Sequence, residues 1–164
     1  MNNELIDRKN NSAVNPSNKL TRSLFFISVV LFFISLTQKS YCTGSTCSDS
    51  FLAFLLGWAG LFSGGAAISW LANPLLIVSW FTIRRKPKFS MLMAVLAFLF
   101  AGSFLLFDQV LANEAGHLQT ITEYRFGFWL WLGSTLSMLA CTFVTVYQLN
   151  VERQKLLSQK QDYR

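Results

Sequence analysis

Cys42 and Cys47, with Thr43-Gly44-Ser45-Thr46 between them, are the residues of this chain best placed to do chemistry. In an oxidising compartment such a pair can close a disulfide, which removes loop freedom and pins the segments on either side. A structural bridge is the bland reading. A redox-active pair is the sharper one, and unpaired thiols are a third fate. The second candidate is Asn73-Pro74. Pro74 has no amide hydrogen, so the Trp70 carbonyl four residues back loses its helical partner and a kink is expected. Asn73 beside a freed carbonyl could ligate a substrate or an ion; a packing kink with a satisfied carboxamide is the commoner arrangement. Gly64 and Gly65 break the same apolar stretch a little earlier.

Asp108, Glu114, His117 and Glu123 could in principle hold a divalent metal, but they follow no repeated ligand spacing and read as a solvated acidic loop. No metal and no cofactor is therefore expected. There is no phosphate-binding glycine loop, zinc-spaced cluster or nucleophile elbow. The expectation is a protein that is not an enzyme.

These candidates sit among long apolar stretches. The chain has 164 residues, of which 52% are hydrophobic and 13% charged, whereas soluble domains are about a quarter charged. Phe51 to Ile83 carries no charged side chain at all, and roughly 20 apolar residues already span a bilayer. The reading is an all-α integral membrane protein with four transmembrane helices in two hairpins, plus a short interfacial or re-entrant helix after the first span. Residues 1–22, rich in Asn, are expected to be a disordered cytoplasmic tail. Residues 23–147 form the transmembrane domain and 148–164 a cytoplasmic C-terminal tail.

The first span runs from Ser23 to Thr37, or on to Tyr41 with Lys39 snorkelling. A cleaved signal peptide is the alternative, but Gln38-Lys39-Ser40-Tyr41-Cys42 lacks a small-residue cleavage pattern, which favours an uncleaved helix. Ser40 to Ser50 is a polar loop. Phe51 to Ser63 is too short to cross alone, since about 13 helical residues reach only ~20 Å. The later spans are Ala66 to Ile83, Phe89 to Phe107 and Phe126 to Tyr147. Trp129 and Trp131 read as interfacial belt residues. Two faces of small residues let backbones approach closely: Ser90, Ala94, Ala97 and Ala101 in the third span, and Gly133, Ser137, Cys141 and Thr145 in the fourth.

The net charge of +6 is dispersed around these spans. Arg8, Lys9, Lys19 and Arg22 precede the first. Arg84, Arg85, Lys86 and Lys88 form a basic turn, while Arg153, Lys155, Lys160 and Arg164 lie in the tail. Only Lys39 and Arg125 fall elsewhere, which is the positive-inside pattern with both termini cytoplasmic. The basic turn is a cytoplasmic anchor. A nucleic-acid footprint would need one basic face, so nucleic acid is not an expected partner. The lipid bilayer is, together with another membrane protein or a second copy of the chain. No ionisable residue falls inside a span, which argues against proton-coupled transport.

Gly57-Trp58, Trp70-Leu71-Ala72-Asn73-Pro74-Leu75-Leu76 and Gly127-Phe128-Trp129-Leu130-Trp131-Leu132 together resemble a group of small bacterial inner-membrane proteins with no assigned function. The resemblance covers about residues 51 to 139 and implies a bacterial inner-membrane location. The chain is also similar in size, helix number and first-loop cysteine pair to the quinone-reducing partner of periplasmic disulfide formation. That family has two residues between those cysteines and a second pair in the second exterior loop; Cys42 and Cys47 have four between them, and 108–125 has no cysteine. The functional expectation is an accessory or assembly factor of a membrane complex acting through helix contacts. The alternatives are an oligomeric channel or carrier for a neutral or lipid-like solute, and a thiol redox enzyme using Cys42 and Cys47.

Overall fold

The computed structural model describes residues 19–44, 46–63, 65–111 and 118–162. Residues 1–18 of the N-terminal tail, Gly64, Glu114, His117 and residues 163–164 lie outside the described residues. Among the described residues, four helical stretches are long and apolar enough to cross a membrane: Lys19–Leu36, Gly65–Thr82, Pro87–Leu106 and the helix that begins at Phe126. They pack together as a helical bundle. In one respect the all-α expectation is corrected, because five short strands among the described residues build a cap at one end of the bundle.

Helix α1 is described over Lys19–Leu36, so it already includes the four residues before the expected Ser23. Nothing in Lys19-Leu20-Thr21-Arg22 breaks a helix, and Thr21 is buried against the final helix. Strands β1 (Lys39–Thr43) and β2 (Thr46–Asp49) follow as an antiparallel hairpin where a polar loop was expected. The physical reason is local. Tyr41, Cys42 and Thr43 on one side and Thr46 and Cys47 on the other are strand-forming side chains, and Gly44 takes φ +58°, in the left-handed region that a tight reversal needs.

Helix α2, Ser50–Leu56, is a short apolar helix. Two 3₁₀ segments then replace the rest of the expected short helix and the first half of the second span: Ala59–Ser63 and Gly65–Leu71. Trp70 lies against Gly57, and Ala67 against Gly60, so the chain reverses between the two segments and they run antiparallel. Gly65 supports the reversal with φ +64°, in the left-handed region that side-chain-bearing residues avoid. Helix α3, Ala72–Thr82, completes the second of the four stretches. Pro74 stands in the first turn of α3, just after the 3₁₀ segment gives way to the α-helix, within the continuous helical stretch Gly65–Thr82.

Helix α4, Pro87–Ser103, ends in a 3₁₀ turn at Phe104–Leu106. Strands β3 (Gln109–Leu111) and β4 (Leu118–Thr120) pair with each other, and β5 (Glu123–Tyr124) adds to β1, giving a three-stranded sheet of order β2-β1-β5. Helix α5 runs unbroken over Phe126–Asp162, about 55 Å at 1.5 Å per residue. It packs along α1 and α4, while α3 packs on α4. Phe32, Leu76, Ala94, Ala97, Met138 and Cys141 make the main core; Ala66, Phe104, Val110 and Phe128 make a second core beneath the strands. Outward positions such as Phe33, Phe81, Leu99 and Phe143 are apolar and exposed, as a lipid-facing surface requires.

Candidate functional site

The cap is built around Cys42. It lies on the central strand β1, opposite Cys47 on the edge strand β2, and the two sulfurs are at disulfide distance. Cys42 is 4% exposed, whereas Cys47 is only half-buried. The second loop closes over Cys42 from the other side. Its carbonyl accepts the Thr122 amide at 2.9 Å and the Thr122 hydroxyl at 3.0 Å. The Arg125 amide donates to Ser40, and its side-chain Nε donates to the Cys42 sulfur at 3.3 Å. The far edge of that guanidinium pairs with Glu123 at 2.8 Å. Beside it, Tyr41, Phe104, Tyr124 and Phe128 form an aromatic layer with neighbouring centroids 5.0 to 5.9 Å apart. Burial raises the pKa of the Tyr124 phenol above its ordinary value, and the Asp108 carboxylate adds to the shift.

Where helix α5 starts, the packing is tight. A Cβ on Gly127 would lie 2.6 Å from the Lys39 carbonyl oxygen and in collision with the Ser50 hydroxyl, so only glycine lets the helix pass the end of β1. That hydroxyl is buried with no hydrogen-bond partner among the described residues. An ion pair between Lys39 and Asp49 closes the open end of the hairpin.

Asn73 is buried on the second helical stretch, and its side-chain oxygen accepts the Trp131 indole N–H at 2.9 Å. Trp131 thus points into the bundle instead of serving as a belt residue; Trp129 is the exposed one of the pair. Trp70 donates its indole hydrogen to the Phe54 carbonyl at 2.8 Å, which caps one of the orphan carbonyls at the end of α2. Pro74 and Gly65 bring no further polar group to Asn73.

Gly133, Ser137 and Cys141 lie along the contact between α5 and α1, and Thr145 follows them on the same face of α5. Ser137 donates to the Leu24 carbonyl at 2.9 Å and Cys141 to the Thr21 carbonyl at 3.3 Å, Gly133 lies by Leu31, and the Thr145 hydroxyl folds back onto Cys141. Two reciprocal serine pairs were not foreseen. Ser28 and Ser134 each donate to the other's backbone carbonyl, at 2.9 and 2.8 Å, and Trp80 donates to the Ser28 hydroxyl at 3.1 Å. Ser79 and Ser90 make the same exchange between α3 and α4 at 2.9 and 2.8 Å. The signal for the first was present: Thr21, Ser28 and Ser35 recur every seven residues on the buried face of α1. Ser90, Ala94, Ala97 and Ala101 are the buried face of α4.

Arg84, Arg85, Lys86 and Lys88 are exposed around the turn from α3 to α4, with Pro87 opening the second helix. Among the described residues no group of His, Cys, Asp and Glu is arranged to hold a metal ion. Two sites thus stand out, the bridged and guanidinium-flanked Cys42 and the Asn73–Trp131 pair, and only the cap presents its chemistry near a surface. No family model, no curated protein and no solved structure matches this chain.

Proposed function

We propose that the protein is a multi-pass protein of the bacterial inner membrane that acts through protein contacts as an accessory or assembly factor of a membrane complex. The carrying observation is the length of α5. Its 37 residues outrun a hydrocarbon core of roughly 30 Å by about 25 Å, so its last turns project from the bundle with Leu156 and Leu157 exposed among charged and amide side chains. Both small-residue faces, by contrast, are occupied inside the bundle. The contact surface is the projecting helix, not the faces the sequence singled out. The orientation rests on charge: Lys19, Arg22, the Arg84–Lys88 turn and the basic tail belong on the cytoplasmic side. Exposed Phe51, Leu52, Leu55, Leu56 and Trp58 support a re-entrant Ser50–Ser63 segment in the outer leaflet. A solute path along Asn73 is not favoured, because its oxygen is already engaged by Trp131.

The test is purification of the tagged protein in a mild detergent, with mass and co-purifying proteins measured together, for the full chain and for a chain ending at Gln148. The proposal expects a stoichiometric partner with the full chain and its loss from the shortened one at equal yield. A full chain that purifies alone would overturn it.

A further inference from the structure

We propose that the Cys42–Cys47 bridge is an asymmetric thiol–disulfide exchange site, in which an incoming dithiol attacks Cys47 and Cys42 leaves as a thiolate held by Arg125. The asymmetry comes from the sheet. Cys47 is on the edge strand and half-buried, while Cys42 is on the central strand, 4% exposed and hydrogen-bonded on both sides. An attacking sulfur therefore reaches Cys47 first. Cys42 stays fixed when the bridge opens, since its carbonyl is held by Thr122 and its strand still pairs with β5. Its sulfur already accepts the Arg125 Nε–H at 3.3 Å, and Glu123 holds the other edge of the guanidinium at 2.8 Å, so the cation keeps its aim. A positive charge beside a thiol lowers its pKa, and a lower pKa makes a faster leaving group.

The exchange balances as follows. One thiolate of the dithiol bonds to the Cys47 sulfur as the Cys47–Cys42 bond breaks, and the electron pair goes to Cys42. The second thiolate of the same dithiol then attacks the mixed disulfide and releases the Cys47 thiolate. Two electrons pass from the dithiol, which becomes a disulfide, to the protein pair, which becomes two thiols. A purely structural bridge has no need of a cation aimed at its buried sulfur.

The experiment follows reduction of the full-length protein in detergent by dithiothreitol, with free thiols alkylated at intervals and Cys141 replaced by Ser. Arg125→Met should slow reduction by about threefold or more, and Arg125→Lys should restore most of the rate. Acid-trapped mixed disulfide, mapped by peptide mass, should sit on Cys47. Equal rates in the parent and Arg125→Met, or a mixed disulfide on Cys42, would overturn the proposal. A faster rate in Arg125→Met would do so as well, because it would mean that Arg125 only shields a structural bridge.

Discussion

The carboxamide oxygen of Asn73 accepts the indole hydrogen of Trp131 at 2.9 Å, which joins the start of α3 to the sheet end of α5 across the bundle. Asn73 is buried and Trp131 partly so, and the bond ties the irregular second helical stretch to the longest helix. Replacing Asn73 with Ala leaves the Trp131 N–H without this partner and should cost about 1 kcal/mol. Trp131→Phe should cost a similar amount, and the double variant less than the sum. Thermal unfolding and yield in detergent check this, and fully additive losses would show that the two side chains do not act together.

The two serines of the α1–α5 clasp are not equivalent. Both variants lose the hydroxyl–hydroxyl contact at 3.4 Å and one donation to a backbone carbonyl, but Ser28→Ala also strands the Trp80 indole. Ser28→Ala is expected to lower the unfolding midpoint more, with each lost bond worth about 0.5 to 1 kcal/mol. The same measurement on both variants decides it, and a larger loss at Ser134 would contradict the geometry.

Gly127 and Ser50 make opposite predictions. Gly127→Ala forces a Cβ onto the Lys39 backbone and the Ser50 hydroxyl, and overpacking of this kind costs about 1 to 3 kcal/mol. Ser50→Ala removes a buried hydroxyl that has no partner among the described residues, so it should be neutral or stabilising. In the double variant the Ser50 part of the clash is relieved and the Lys39 part persists, giving an intermediate midpoint.

A bulky residue on the α5 stripe should separate α1 from α5. Cys141 is fully buried and donates to the Thr21 carbonyl, so Cys141→Leu should reduce the yield of folded protein sharply while Cys141→Ser should not. A tolerated Leu would mean that the two helices do not approach as closely as described.

The number and approximate limits of the four long apolar helices were legible in the sequence, because an uncharged run of spanning length is a property of each segment alone. The small faces of α4 and α5 were legible for the same local reason, since helical spacing fixes which residues share a side. The β1–β2 hairpin, read from the sequence as a polar loop, is instead a pairing that the two strands make with each other. What only the tertiary structure decided is non-local. No pattern in either stretch says that β5 pairs with β1, that Arg125 meets the sulfur of a residue in a different loop, or that Trp131 turns inward to Asn73 instead of facing lipid. Whether a helix-forming run such as Gly65–Leu71 winds as 3₁₀ is likewise set by what packs against it, here the returning Gly57–Ser63 stretch and the Trp70 cap on α2. Burial in a membrane depends on composition and can be read along the chain; pairing depends on which segments the fold brings together.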